Sequence, residues 1–235
     1  MSVLAIIPAA GTGVRMGGET PKQFLSLDGV PIFIHTLRKF SSSSAIDTVH
    51  LGVRPEEMER ARESLAREKL HKSVQVISGG STRHETVEHA LDAAPPGTDV
   101  VVVHDAVRPF VSLELIHSVV EAARRDGAAI LGIPSIDTVK QVEQQRVLGT
   151  IPRQRIVLAQ TPQAFRYDLL RDAFARATGE GFFGTDESSL VERLGIEVIV
   201  LMGSDRNIKI TKPSDLPLAR LYLSQEQEQH DSSGS

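Results

Sequence analysis

The sequence predicts an α/β fold with a mostly parallel β-sheet, and three observations carry this prediction. Short apolar runs alternate with amphipathic segments along the chain, which is the pattern of parallel strands connected by helices. The first run, residues 3–7, is apolar throughout, as expected for a central strand covered on both faces. Helix signals separate the runs, such as Thr82 with Glu85 as a capping box and Gly127 and Gly195 as C-terminal stops. We therefore expect a Rossmann-like sheet with helices on both faces.

The individual elements follow from the same patterns. Apolar runs between turn residues predict strands, and apolar residues at helical spacing predict helices. The predicted strands are residues 3–7, 48–53, 74–77, 100–103, 128–133 and 197–201. The predicted helices are residues 32–40, 55–69, 82–93, 113–126, 167–178, 187–194 and 214–224.

One segment, residues 135–155, breaks this alternation. Apolar residues are interleaved there with Gln, Glu and Arg on both sides of a possible turn at Gln144-Gln145-Arg146, which suggests a two-stranded hairpin that protrudes as a β-arm. Such a hairpin is marginally stable alone, so it must pack on something. An ordinary antiparallel extension of the main sheet is the alternative, because antiparallel edge strands on parallel sheets are common.

The composition is that of a globular protein. The chain has 235 residues, of which 40% are hydrophobic and 24% charged, with a formal net charge of −4. These values exclude a disordered chain and give no basic surface for nucleic acid. The absence of cysteine rules out disulfides and thiolate metal sites. The scattered histidines form no ligand pattern, so we expect no zinc site.

The domain organisation and location follow from the same survey. We predict a single domain over residues 1–225, and a disordered tail over residues 226–235 because that segment is rich in Gln, Ser and acids. No apolar run approaches the roughly 20 residues of a membrane span, and the N-terminus shows no targeting signature. We expect small-molecule partners, no membrane, no nucleic acid and a cytoplasmic location.

The loop after the first strand predicts a triphosphate-binding site. Gly11, Gly13 and Gly17 allow backbone N–H groups to approach an anion, and Arg15 and Lys22 supply countercharge. The spacing of the glycines differs from the dinucleotide fingerprint, and Gly-Lys-Ser/Thr of a P-loop is missing. A tight turn with surface cations is the alternative.

A series of motifs accompanies this loop in a fixed order over nearly the whole chain. They are Pro8-Ala9-Ala10-Gly11-x-Gly13-x-Arg15-Met16 with Pro21-Lys22-Gln23-Phe24, Gly79-Gly80-x-x-Arg83, His104-Asp105-Ala106-Val107-Arg108-Pro109, Asp137-Thr138-x-Lys140, Thr161-Pro162-Gln163, Thr185-Asp186-Glu187 and Asn207-Ile208-Lys209-Ile210-Thr211. With these motifs the chain resembles the 2-C-methyl-D-erythritol 4-phosphate cytidylyltransferases of the non-mevalonate isoprenoid pathway.

The resemblance implies a nucleotidyltransferase (GT-A-like) fold, transfer of CMP from CTP to methylerythritol phosphate, and a homodimer in which the arm embraces the second subunit. The acceptor phosphate is already a nucleophile, so the reaction needs alignment and charge neutralisation rather than a general base. Arg15 and Lys22 fit the stabilisation of charge at the α-phosphorus, and we predict them as catalytic residues.

Asp105 and Arg108 follow the strand at residues 100–103, at the edge of the sheet where ligands bind. A carboxylate there can hold Mg²⁺ on the triphosphate, directly or through water, or can instead pair structurally with Arg108. The resemblance favours the magnesium role for Asp105, with Arg108 as a structural or phosphate partner.

The resemblance also implies that Thr138, Arg153 and Lys209 hold the acceptor phosphate. Arginine offers a bidentate fork and lysine a point charge for this purpose, although plain surface charge is the alternative for Arg153. Thr185-Asp186-Glu187 is explained by helix capping and is predicted to be structural.

Nucleotide binding is implied for a set of small residues, all of which except Gly13 are expected to recognise the cytosine. They are Ala9, Ala10, Gly11, Gly13, Gly80, Ser81 and Thr86. Ser81 and Thr86 stand where the family often shows Asp and Ser. The resemblance therefore indicates where the base binds, but not which atoms of these two side chains contact it.

Two alternative functions remain open from sequence. A ribitol-5-phosphate cytidylyltransferase shares several motifs, but its loop tends to read Ala-Gly-Gly rather than Ala9-Ala10-Gly11. The second alternative is a nucleotide-binding module without catalysis. The presence together of the charged residues expected for catalysis, Arg15, Lys22, Asp105, Arg153 and Lys209, argues against it.

Overall fold

The computed structural model describes residues 1–11 and 21–233, with side chains up to residue 229. Its strands are β1 Ser2–Pro8, β2 Ser26–Leu27, β3 Val30–Pro31, β4 Thr48–Val53, β5 Val74–Ser78, β6 Thr98–Val103, β7 Ala128–Pro134, β8 Val139–Glu143, β9 Arg146–Ile151, β10 Val157–Arg166 and β11 Ile199–Met202. Its α-helices are α1 Ile32–Ser42, α2 Met58–Ala66, α3 Arg83–Asp92, α4 Leu113–Asp126, α5 Tyr167–Glu180, α6 Glu187–Arg193 and α7 Leu216–Ser233.

Within these residues the main sheet has seven strands in the order β11-β7-β10-β6-β1-β4-β5. Every neighbouring pair is parallel except those of β10, which runs antiparallel to both β6 and β7. The predicted mostly parallel α/β sheet is therefore confirmed. The sequence did not predict β10, because Thr161-Pro162-Gln163 interrupts its apolar pattern and proline is rare in central strands.

Helices cover both faces of the sheet. Val3, Ala5 and Ile7 of β1 point into a core that includes side chains of α1 and α4. Leu4 and Ile6 point into the opposite core, with side chains of α3, α5 and α6. The uninterrupted apolar run of β1 thus results from burial on both faces.

The C-terminal helix corrects the sequence prediction. Residues 225–233 belong to α7, so the predicted disordered tail is wrong up to Ser233. Polar contacts hold this part of the helix to the body of the protein: Glu226 pairs with Lys39 at 2.8 Å, Gln225 accepts a hydrogen bond from Arg206 at 2.8 Å, and Gln227 donates to Asp28 at 3.4 Å. Anchors distant in sequence stabilise a segment that has no apolar face of its own.

The arm is a separate two-stranded sheet of β8 and β9. Its turn residues Gln144 and Gln145 have φ of 45° and 66°, as in the primed turns that suit two-residue hairpins. The predicted hairpin is confirmed. The alternative, an extension of the main sheet, is wrong.

Candidate active site

Two cavities lie side by side at the carboxyl edge of the parallel strands, where ligands bind in such sheets. The first, about 100 Å³, is lined by Pro8, Ala9, Ala10, Gly11, Lys22, Gln23, Arg83, Asp105, Ala106, Val107 and Lys209. The second, about 200 Å³, is lined by Arg83, Asp105, Arg108, Ala159, Gln160, Thr161, Gln163, Thr185, Asp186 and Lys209. Three charged residues, Arg83, Asp105 and Lys209, line both cavities and so mark their junction.

The side chain of Gln23 shapes the first cavity. Its Nε2 donates to the carbonyl of Ala9 at 2.5 Å and to that of Gly11 at 3.1 Å. Gln23 belongs to a 3-10 turn, Lys22–Phe24, which is anchored by the buried ring of Phe24. This amide joins the end of β1 to the turn and places Lys22 in the cavity wall. The sequence analysis quoted Gln23 within its motif without giving it this role.

The loop after β5 forms the wall beside Ala10. A Cβ on Gly79 would lie 2.9 Å from the Cβ of Ala10 and 2.9 Å from Oγ1 of Thr86. The buried Thr86 hydroxyl donates to the carbonyl of Thr82 at 2.8 Å and accepts from the N–H of Gly80 at 3.2 Å. The predicted cytosine-binding residues Gly80, Ser81 and Thr86 are thus brought next to the first cavity but do not line it. Their contact with a base stays a prediction.

Asp105 is the hub of the charges at the junction. Its carboxylate lies 2.9 Å from Nζ of Lys209, 3.3 Å from Nε of Arg108 and 3.5 Å from Nε of Arg83. Burial by itself raises the pKa of Asp105, but the three neighbouring cations outweigh it and hold the pKa of that carboxyl well below its usual range. Of these cations Lys209 has the most exposed side chain, so it is the one best placed to attract a phosphate.

The guanidinium of Arg108 makes its contacts with other groups of the protein. Its Nη1 donates to the carbonyl of Asn207 at 2.7 Å. The Asn207 amide in turn donates to the carbonyl of Thr161 at 2.8 Å. Burial lowers the pKa of Arg108 against the raising effect of Asp105. These bonds position the segment that carries Lys209, which supports the structural reading of Arg108, although its side chain also lines the second cavity.

A hydrogen-bonded chain through His104 fixes the loop that carries Asp105. Nε2 of His104 lies 3.0 Å from the carbonyl of Arg108, which can only accept, so Nε2 bears the proton. Nδ1 then accepts from the Thr161 hydroxyl at 3.1 Å, and that hydroxyl accepts from the N–H of Asp105 at 3.0 Å. Burial lowers the pKa of His104 to about 4, so the ring is neutral near pH 7. Thr161, on the strand that the sequence did not predict, completes this chain.

Thr138 and Arg153, two of the remaining predicted residues, fall outside the two cavities. Thr138 and Arg153 lie at the two ends of the arm, and Nη1 of Arg153 donates to the carbonyl of Ile136 at 2.7 Å. Neither residue is among those that line the two cavities. Gly13 and Arg15 lie outside the described residues. Asp186 is the N-cap of α6, as the structural reading of Thr185-Asp186-Glu187 expected.

The fold and this junction of two cavities define a class of protein. One cavity combines a backbone loop with Lys22, the second lies beyond a cluster of three cations, and the two meet at a shared edge. Such a site holds two anionic substrates against each other. The class is that of the α/β nucleotidyltransferases.

Comparison with known proteins identifies the family within this class. The family model of 2-C-methyl-D-erythritol 4-phosphate cytidylyltransferase matches residues 3–225. The protein of that name from Solibacter usitatus is 50% identical over 96% of this chain and 97% of its own length. The protein of that name from Bacillus cereus is 44% identical over 93% of this chain and 96% of its own length. The chain therefore belongs to the 2-C-methyl-D-erythritol 4-phosphate cytidylyltransferase family.

Solved structures agree. The crystal structure of 4-diphosphocytidyl-2C-methyl-D-erythritol synthase from Anaerococcus prevotii superposes with a TM-score of 0.84 at 31% identity, covering 95% of this chain and 96% of that one. The 2-C-methyl-D-erythritol 4-phosphate cytidylyltransferase from Francisella tularensis gives a TM-score of 0.81 at 35% identity, covering 94% and 100%. In the part of the chain that the structure describes, no helix is long and apolar enough to cross a membrane.

Proposed function

We propose that the first cavity holds CTP and that the second holds the phosphate of 2-C-methyl-D-erythritol 4-phosphate. The enzyme transfers CMP from CTP to this acceptor, giving 4-diphosphocytidyl-2-C-methyl-D-erythritol and pyrophosphate in isoprenoid precursor synthesis. This assignment of the two substrates to the two cavities rests on one observation, the set of three charged residues that both cavities share. The acceptor oxygen and the α-phosphorus must meet at such a junction.

The protein lowers the barrier by alignment and charge. The acceptor phosphate attacks the α-phosphorus and pyrophosphate leaves, so negative charge gathers on the transferred group. Lys22 in the wall of the first cavity, and Arg15 from the same loop, would neutralise that charge. Loss of one such preorganised donor typically costs about 3 kcal/mol, or on the order of a hundredfold or more in rate.

The donor set at Asp105 fits a magnesium ion that arrives with the triphosphate. Mg²⁺ usually takes one or two carboxylates and completes its shell with phosphate oxygens and water. Asp105 supplies one ionised carboxylate, whose Oδ1 has its nearest cation, Arg83, at 3.5 Å. Among the described residues no group of three or more His, Asp or Glu side chains could hold a metal without the nucleotide. When bound, the ion would add further positive charge at the phosphates.

We also propose that the acceptor phosphate is gripped from two chains. Lys209 lines the site of its own chain, whereas Thr138 and Arg153 lie on the arm. The arm exposes Ile136, Val142, Val147 and Leu148, with 57% to 83% of each residue accessible. An apolar surface of this kind on a marginal hairpin calls for a covering partner. A second copy of the chain, which would place Thr138 and Arg153 at the neighbouring site, meets that need.

The test of this function measures pyrophosphate release from CTP with methylerythritol phosphate and, separately, with ribitol 5-phosphate. We expect strong preference for the first acceptor, and equal or better turnover with ribitol 5-phosphate would overturn the acceptor assignment. Light scattering at assay concentration should give a dimer, and an active monomer would contradict the role of the arm. We expect the enzyme to work in the cytoplasm, where CTP is supplied.

The division between the cavities has a sharper test. Arg153→Ala and Lys209→Ala should lower kcat/KM for methylerythritol phosphate by roughly two orders of magnitude, because a misplacement of about 1 Å has such an effect. Calorimetric binding of CTP should barely change in Arg153→Ala, and in Lys209→Ala it should weaken far less than kcat/KM for the acceptor falls, although Lys209 also lines the first cavity. If either variant weakens CTP as much as the acceptor, that residue belongs to the nucleotide site.

A further inference from the structure

Arg83 connects a buried glutamate to the centre of the site. Its Nη1 lies 2.5 Å from Oε1 of Glu187, and its Nε lies 3.5 Å from Oδ1 of Asp105. The other two cations on Asp105, Arg108 and Lys209, contact Oδ2 instead. Arg83 is therefore the cation that holds the Oδ1 side of this carboxylate.

Helix capping does not account for Glu187. Asp186 is the N-cap of α6 and accepts the N–H of Ser189 at 3.1 Å. Glu187 follows it, is only 2% exposed, and has one oxygen, Oε2, with no hydrogen-bond partner. Burial of a carboxylate costs several kcal/mol unless it is paired. The ion pair with Arg83 compensates for the burial of the Glu187 carboxylate.

Arg83 also lies at the junction of the two cavities. It begins α3, directly after the N-cap Thr82, and its side chain lines both cavities. A guanidinium is a planar fork that can hold two carboxylates in fixed directions, which an ammonium cannot do. Its two partners come from the loop after β6 and from the start of α6, so the fork joins three distant segments.

We propose that Arg83, fixed by Glu187, is a positioning residue that sets the orientation of Asp105 and, through it, of Lys209 at the junction of the two cavities. Without this fork the remaining ion pairs that we describe for Asp105 are both on its Oδ2 side, and the carboxylate can turn with Lys209 away from the junction. The in-line approach of the two phosphates then suffers more than the binding of CTP. The inference rests on the proposed use of the two cavities.

The test compares Arg83→Gln, Glu187→Gln and the double variant with the unaltered enzyme. We expect Arg83→Gln to lower kcat by about a hundredfold, the effect of a misplacement near 1 Å, with a change in the CTP dissociation constant of less than about threefold. Glu187→Gln keeps the shape of the side chain and should lower kcat by about tenfold. Because Glu187 acts through Arg83, the double variant should be no slower than Arg83→Gln alone.

A matched control and a conservative variant separate positioning from stability. Arg171→Gln breaks an exposed ion pair with Asp92 near the other end of α3, and it should leave kcat unchanged. Arg83→Lys keeps the charge but cannot span both carboxylates. Its Tm should therefore be close to that of the unaltered enzyme, while its kcat stays at least tenfold below that of the unaltered enzyme. If Arg83→Gln does not fold, Glu187→Gln and Arg83→Lys carry the test.

Near-normal kcat in folded Arg83→Gln, independent losses that multiply in the double variant, or full recovery of kcat in Arg83→Lys would each overturn the proposal. An inactive unaltered enzyme would instead refute the proposed function. Equal losses in CTP affinity and kcat would also count against positioning, since they indicate direct binding of the nucleotide.

Discussion

The buried His104 makes the stability of the enzyme depend on pH in a calculable way. Burial lowers the pKa of His104 from its ordinary value of 6.5 to about 4. The unfolded chain therefore binds a proton at a higher pH than the folded chain does. The stability due to the neutral ring is fully present above about pH 6.5, decreases as the pH falls, and is lost by about pH 4.

The size of the effect follows from the same shift. A difference of one pKa unit corresponds to about 1.4 kcal/mol, so the whole shift amounts to about 3 kcal/mol and the loss at pH 5 to about 2 kcal/mol. The physical cause is the chain of hydrogen bonds at the ring. A proton on Nδ1 would remove the acceptor for the Thr161 hydroxyl and place a charge where His104 is fully buried.

The assay is urea unfolding at intervals from pH 7.5 to pH 4.5, for the unaltered protein and for His104→Gln. The other titrating groups act in both proteins, so the difference between the two curves isolates His104. We expect this difference to shrink by about 2 kcal/mol between pH 6.5 and pH 5. Parallel curves over that range would refute the reasoning. If His104→Gln does not fold, the NMR signal of the His104 ring in the unaltered protein should show no titration down to pH 5.

Two further predictions concern the first cavity. Lys22→Ala and Arg15→Ala should lower kcat by on the order of a hundredfold or more while the far-ultraviolet circular dichroism spectrum stays unchanged, and near-normal turnover in either would remove that residue from the mechanism. Gly79→Ala should destabilise the protein by about 1–3 kcal/mol and weaken CTP in calorimetry, because the added Cβ meets Ala10 and Thr86 at 2.9 Å. Gly179→Ala is its control, since nothing lies within 4 Å of that Cβ in α5, and a similar loss of stability in both variants would contradict the packing argument.

The local pattern of the chain was sufficient for most of the sheet and for the chemistry of its edge. The apolar run of β1 indicated burial on both faces, and Thr82 and Asp186 are the N-caps of α3 and α6, as their residue types predict. The positions of Lys22 and Asp105 at the first cavity also followed from residue type and position after the ends of strands. Such features depend on interactions within a few residues, or on a periodicity that the chain itself displays.

Other features required partners that are distant along the chain. The strand β10 contains polar residues and a proline, and it forms because β6 and β7 satisfy its backbone on both sides. The last turns of α7 are polar and are held by Lys39 and Arg206. No local periodicity marks either element, since the free energy that forms it comes from contacts made only after the chain has folded.

The active site shows the same division between what the sequence predicts and what only the structure reveals. The sequence identified Asp105 and Lys209 as charged residues of motifs, but the sheet edge decides that Arg83, Arg108 and Lys209 converge on one carboxylate. Glu187 reads in sequence as an acid in the first turn of a helix, and only its burial against Arg83 gives it a second role. Residue type determined which chemistry was present, and the tertiary structure decided which groups meet, because electrostatic coupling depends on distance and burial rather than on separation along the chain.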